Sequence, residues 1–339
     1  MRRLALFVLT TGVMAGLLFR PGAAAQVNTV KTLAPDVYFH QGNIDVNGHC
    51  NTGWIIFEDY VLVVDANFPS GAREVIPKIQ ALTNKPIRFA FDTHHHGDHA
   101  YGNQIWADAG AVPVAHENVI SEMKKFETGF FGGKPGRWED TAKDREDVRS
   151  TRLKPPTLLY RDVMIFDDGK HRVELRYFGV GHTHGDGFAW LPNERILFTG
   201  DAAVNGPYNY FADGDTGAWV DTLAKVQELG AAIVAPGHGP SGTGSVLEAQ
   251  RQFFMDLRAE VAKRKDLAPD RVQAEVRTIR DALLPRHGTY IDAKATSLSG
   301  FEAQVAKVYG EMTGKSFPKP GAADAARLAH ERDHGVALK

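Results

Sequence analysis

The sequence predicts an α+β fold, in which sheet layers are covered by helices and a helical C-terminal extension follows. Three observations carry that expectation. Short β-rich and helical runs alternate between residues 37 and 235. Beyond Gly244 the chain reads almost entirely helical. Several strand runs end in histidine or aspartate beside glycine, which permits the tight turns that let side chains converge.

Taken in order, strands are expected at 37–40, 54–57 and 61–64, the last closing on Asp65-Ala66-Asn67. A helix over 70–82 follows from Val75, Ile76, Ile79 and Leu82, although Pro77 argues against an unbroken one. Strand 87–91 leads into a histidine-rich loop, then a helix from about 100, strand 112–115 and a helix from about 117. Residues 127–156, rich in glycine, charge and aromatics such as Phe130, Phe131 and Trp138, are expected to be an insertion. It is a candidate mobile lid, with a disordered surface loop as the alternative. Strands at 171–178, 188–191, 195–198 and 232–235 enclose a helix at 217–229. Helices at 245–263, 269–284 and 300–312 complete the chain, and the polar last twenty residues are expected to fray.

With 339 residues, 43% apolar and 24% charged, there is material for one large domain or a main domain with an appendage. Arg2-Arg3 precede an uncharged run from Leu4 to Phe19, and Ala23-Ala24-Ala25 follow. That is the pattern of a signal peptide over residues 1–25, and it implies a periplasmic or secreted protein. The run falls short of the roughly 20 residues of a spanning helix, so no stable membrane insertion is expected after cleavage. Loss of Arg2, Arg3 and Arg20 leaves 36 of the 39 basic residues against 41 acidic ones, a formal charge of −5. With no long basic run, a nucleic-acid partner is disfavoured and a small-molecule substrate is expected. Oligomeric state is left open. Cys50 is the only cysteine, which excludes an internal disulfide; a buried structural thiol is favoured over ligation.

Thr93-His94-His95-His96-Gly97-Asp98-His99 sets four ligand-type side chains, His94, His96, Asp98 and His99, on one loop. Imidazole and carboxylate are ligands of zinc, which takes about four and in catalytic sites keeps a position for water. Four on one loop exceed the need of one such ion, so two metals sharing the loop is the simplest reading. His94 and His96, two apart, point the same way in an extended segment. Asp98 and His99 are adjacent and cannot both join them, which assigns them to a second ion. The alternative is a solvated turn or core histidines. Three later segments, Val180 to Asp186, Leu197 to Asp201 and Ala235 to Gly239, close strand runs with His182, Asp201 and His238.

Over roughly residues 30 to 260, these segments in this order resemble the metallo-β-lactamase superfamily. The resemblance implies an αβ/βα four-layer sandwich, two mixed sheets between outer helices with the metals at one edge. The domain would span 26–263, followed by a helical extension at 264–318 and a polar tail at 319–339. It further implies that His94, His96 and His182 hold one zinc and that Asp98, His99 and His238 hold a second. Asp201 would bridge both, and Asp65 would be the carboxylate that orients the histidine loop. Two Zn2+ are the expected cofactors, with iron or a mixed pair as the alternative. His96 favours zinc, because related redox enzymes of the fold often carry Glu there. His95 is expected to be structural, His116 to cap or pack, and His184 is a candidate to face substrate.

The implied activity is that of a dinuclear zinc hydrolase using a metal-bridging hydroxide on an acyl compound: a β-lactam, lactone, ester or thioester. Asp98 is the candidate catalytic residue, taking up the nucleophile's proton. Asp201 stands where strictly lactam-cleaving members resemble Cys or Ser, and is similar to the bridging Asp of thioesterases, lactonases and phosphodiesterases. Residues 202–211 do not match the glyoxalase-II loop, and export argues against a glutathione thioester. Tyr208, Tyr210, Phe211 and Trp219 are candidates to line the pocket, a phenol donating to a developing oxyanion, with ordinary core as the alternative. The competing functions are a periplasmic metal-binding accessory or redox protein with little hydrolytic activity, and a phosphodiesterase of the same fold.

Overall fold

Alternating side-chain direction along strands that are mostly buried on both faces builds two sheets that face each other. A computed structural model describes residues 27–292 and 298–318; the expected signal peptide and polar tail lie outside the described residues. The first sheet runs in order β1 (Val30–Ala34), β2 (Val37–His40), β3 (Thr52–Ile56), β4 (Val61–Val64), β5 (Ile87–Asp92), β6 (Val112–His116) and β7 (Leu158–Tyr160). It is antiparallel from β1 to β4 and parallel from β4 to β7. The second comprises β8 (Val163–Asp167), β9 (Arg172–Tyr177), β10 (Gly187–Leu191), β11 (Ile196–Gly200) and β12 (Ile233–Pro236). Its order is β12-β11-β10-β9-β8, and only the β11–β12 pair is parallel.

Period-two alternation sorts the side chains into three layers of core. Ile55, Leu62, Val64 and Phe91 meet Val173, Leu175, Ala189 and Phe198 between the sheets. Trp54, Ile56, Val61 and Val63 point outward onto Val75 and Ile79 of the helix Pro69–Gln80 and onto Trp106. On the other outer face, Phe188, Trp190, Leu197 and Val234 pack against the helices Thr216–Gln227 and Ser245–Ala262. The order helix, sheet, sheet, helix is the four-layer sandwich expected. Each large apolar side chain buried this way stabilises by about 1.5–3 kcal/mol.

The helix Pro69–Gln80 runs unbroken through Pro77, contrary to the doubt its proline raised. Pro77 and Arg73, the residue whose carbonyl loses its i+4 donor to the proline, are both on the exposed face of the helix. The region expected as one helix at 269–284 is two, Pro269–Ala274 and Val276–His287. With Ser299–Thr313, they share one apolar cluster with the second sheet's outer face. The 127–156 segment holds the helices Arg137–Asp144 and Glu146–Arg149. Its Trp138, Val148 and Leu153 pack on Phe68 and Tyr101, and Arg145 lies 3.7 Å over the Phe68 ring. Among the described residues no helix is long and apolar enough to cross a membrane.

Candidate metal centre

β5 ends at Asp92, and the next seven residues turn over the edge between the sheets. Asp65, at the end of neighbouring β4, anchors that turn. Its Oδ1 accepts from the Thr93 amide at 3.0 Å and the Thr93 hydroxyl at 2.7 Å, while Oδ2 lies 3.0 Å from His99 Nδ1. Asp65 itself sits at φ 66°, a backbone region Asp tolerates better than most residues. Two glycines let the other strand ends approach. A Cβ on Gly200 would lie 2.2 Å from Thr93 Oγ1, and one on Gly237 would lie 2.1 Å from Asp201 Oδ1.

The seven expected ligands come together from four strand ends. His94, His96 and His182 present ligand atoms within 4.8 Å of one another, as do Asp98, His99 and His238, and His94, His99 and Asp201. His238 Nε2 stands 3.1 Å from Asp98 and 3.3 Å from Asp201; His99 Nε2 lies 3.4 Å from each. Yet His94 Nε2, His99 Nε2, His238 Nε2, Asp98 Oδ2 and Asp201 Oδ1 are buried with no aligned hydrogen bond among the described residues. Unpaired buried polar atoms cost about 1–3 kcal/mol each, so five converging ones need a common partner. A divalent cation is the partner this nitrogen and oxygen set fits.

The protonation pattern agrees. Burial, then neighbouring imidazoles, pushes His94 well below the ordinary range and His182 down to about 3, which leaves both as neutral donors. Burial would raise Asp98 and Asp201, but the His99 and His238 rings hold both carboxyls well below their usual value. His238 is raised to about 9, its carboxylate neighbours Asp201 and Asp98 overcoming burial. His99 is likewise raised well above its usual value, neighbouring charges outweighing burial, so in the metal-free chain the His99 and His238 rings hold protons between the two carboxylates, which a divalent cation bound there would displace.

A pocket opens over this cluster. Asp98, Asp201, Tyr208 and Tyr210 are among the residues that line it. Tyr210 packs edge-on to His96 with ring centres 5.5 Å apart, and Tyr208 lies 5.9 Å from the His238 ring. Phe211 and Trp219 are core instead; the Trp219 indole donates to the Ala202 carbonyl at 2.8 Å. His184 is exposed and does not line the pocket; its carbonyl accepts from Asn118. His95 is buried and stacks on Phe126 at 5.3 Å, and His116 caps the helix Glu117–Phe126 while stacking on Tyr177. Cys50 is buried beside Asp65 and His99, its thiol pushed up to about 12 by burial.

Three residues that line the pocket, Tyr101, Glu127 and Arg137, and a fourth behind His96, Asp213, carry no signal of their own in the sequence. Asp213 takes His96 Nε2 at 2.9 Å, and Arg137 grips Asp213 with two N–H groups at 2.6 and 3.0 Å. Tyr101 donates to Glu127 at 2.5 Å, and burial raises that carboxyl to about 7. None follows a ligand spacing; only the aromatic and charged character of the 127–156 segment hinted at them.

The metallo-beta-lactamase superfamily model matches residues 46–238. A Beta-lactamase-like protein 2 homolog from Caenorhabditis elegans is 25% identical over 182 residues, 53% of this chain and 52% of that protein. The match thus spans about half the length of that relative. A metallo-beta-lactamase from Pontibacter korlensis superposes with a TM-score of 0.56 at 19% identity, covering 67% of this chain and 98% of the other. The DIM-1 metallo-beta-lactamase gives 0.54 at 19% identity, covering 69% and 99%. At that identity the two structures show a shared fold. The family match takes in six of the converging ligands on the histidine loop and the strand ends at 182 and 201, and ends on the seventh, His238. This chain belongs to the metallo-beta-lactamase superfamily.

Proposed function

We propose that this chain is an exported dinuclear zinc hydrolase acting on a small acyl compound such as a lactam, lactone, ester or thioester. The observation that carries the reading is the convergence of seven donors, all but the half-buried His96 being buried and holding an atom with no aligned hydrogen bond, beneath an open pocket. His94, His96 and His182 would hold one zinc, and Asp98, His99 and His238 the other, with Asp201 facing both. Zinc ions bound there would polarise an acyl oxygen and lower the pKa of water from 15.7 to about 7.

The chain's own groups supply the rest. Asp98 lines the pocket, where a carboxylate held ionised can receive a proton from the attacking water. Tyr208 and Tyr210 bring phenols to the wall, where a developing oxyanion would need a donor. The structural neighbours described as metallo-beta-lactamases favour acyl over phosphoryl chemistry. The test is a hydrolysis panel of carbapenems, lactones, thioesters and phosphodiesters on zinc-loaded mature protein, with and without a chelator. Acyl hydrolysis abolished by chelation and restored by zinc is expected. Bound metal with no turnover across the panel would instead mark an accessory protein.

A further inference from the structure

We propose that Arg137, supplied by the 127–156 segment, is a positioning residue for His96, acting through Asp213. The inference rests on the reading that His96 is a metal ligand, and adds to it a role for a segment outside the strand-end loops.

The two ring nitrogens of His96 face different partners. Nδ1 lies 2.9 Å from His182 Nε2, inside the converging ligand group, and Nε2 lies 2.9 Å from Asp213 Oδ2. A carboxylate accepts and cannot donate, so it fixes the proton on Nε2 and turns a bare Nδ1 lone pair toward the ligand group. Asp213 therefore decides both the tautomer and the ring angle.

Asp213 is itself held by a two-pronged guanidinium contact from Arg137. That geometry fixes a carboxylate plane as a single-point cation does not. Arg137 is in turn set by stacking. Its guanidinium lies 3.6 Å over the Phe126 ring, and the same ring stacks on His95 with planes 7° apart. Glu127 accepts the Trp138 amide at 2.7 Å, tying the start of the helix Arg137–Asp144 to the residue after Phe126. A chain of contacts thus runs from the inserted segment to one ligand: Phe126, Arg137, Asp213, His96. A surface salt bridge serving stability alone would not need this alignment; Asp213 and Arg137 are both largely buried, and Arg137 lines the pocket.

The test uses the full mature chain, with zinc as the probe and a chelator as competitor. Arg137→Met and Asp213→Asn are each expected to weaken zinc at one of two sites by about 10–100-fold. The double variant should lose little more than Asp213→Asn alone, because both act on one contact. Arg137→Lys keeps the charge but loses the fork, and should fall between wild type and Arg137→Met. The imidazole N–H signal of His96 in the proton spectrum should shift in all three. Wild-type zinc affinity in Arg137→Lys and an unmoved His96 signal overturn the proposal, even if Arg137→Met fails to fold. So does a loss in Arg137→Met that adds fully to that of Asp213→Asn. Wild-type protein that binds no zinc would overturn the metal reading itself, a different and separable result.

Discussion

Gln304 donates its side-chain amide to the Asn209 carbonyl at 3.0 Å, joining the last described helix to the loop after Asp201. Two more contacts from that helix reach the same loop. Lys307 Nζ donates to the Ala212 carbonyl at 3.2 Å, and Glu311 accepts the Thr216 amide at 3.0 Å. Tyr210 and Asp213 lie between these anchor points, so the C-terminal helices hold a wall of the pocket as well as covering the second sheet. Gln304→Ala leaves a buried carbonyl unpaired and should cost about 1–2 kcal/mol of stability. On the proposed function, kcat should fall about tenfold with zinc content unchanged, a shift on the scale of one displaced positioning contact. Steady-state kinetics beside a thermal melt checks this; lowered stability with intact kcat would limit the helix to packing.

Gly237 tests how tightly the strand ends are fitted. A methyl there would meet Asp201 Oδ1 at 2.1 Å and the Gly200 carbonyl carbon at 2.7 Å, and the second contact is backbone. Gly237→Ala must therefore push β12 from β11 or swing Asp201 out of the ligand group. A loss of about 1–3 kcal/mol in stability is expected, together with weaker zinc binding by chelator competition. Unchanged zinc affinity would show that Asp201 is not held where the ligand group needs it.

Asp65 links the loop backbone to His99, and the two roles can be separated. Asn at this position tolerates the positive φ and can still accept from Thr93, but offers no negative charge to His99 Nδ1. Asp65→Asn should keep the fold and weaken zinc by about 10–100-fold. The readout is zinc titration of a variant whose circular dichroism matches wild type.

How much of this was legible beforehand varies with the kind of force involved. Strands β3 to β6 and β10 to β12 are buried on both faces, so they stand out as apolar runs such as Val61–Val64. β1 lies at a sheet edge, mostly exposed, and leaves no such run. β7 and β8 are edge strands too, and although residues 163–166 are apolar, Val163 and Ile165 face solvent, so that run marks no layer buried on both faces. The ligand residues were visible because metal chemistry restricts residue type and concentrates four of them on one loop. Arg137 and Asp213 were not, because their contact spans 76 positions and Asp213 reaches His96 across 117. An ion pair or a histidine-orienting carboxylate obeys no local period, so only the folded chain shows it.

Tyr208 and Tyr210 pose a chemical question that removing one oxygen from each can answer. Both line the pocket, so phenylalanine at both sites preserves the ring contacts with His238 and His96 and deletes only the donors. If either phenol serves an oxyanion, kcat of the double variant should fall by about 100-fold with KM nearly unchanged. Equal kcat in wild type and double variant would leave the two rings a packing role.

Glu127 makes the stability of the zinc-free protein depend on pH in a stated direction. Burial raises its carboxyl from 4.5 to about 7, outweighing the hydrogen bonds from Tyr101 and Trp138 that favour the anion. A carboxyl whose folded pKa exceeds its unfolded one stabilises fully below the unfolded value, and that contribution is lost as pH rises through the folded value. The shift corresponds to about 3 kcal/mol between pH 4 and pH 8. Glu127→Gln cannot ionise and should lack this slope. Asp186, also raised to about 7 by burial, acts alike in both proteins and cancels in their difference. Urea unfolding at intervals across that range should therefore show the wild type losing stability relative to the variant as pH rises, most steeply between the unfolded value of 4.5 and the folded value of about 7, and levelling off above it. A difference that stays flat would mean that the Tyr101 and Trp138 donors keep the carboxylate ionised throughout.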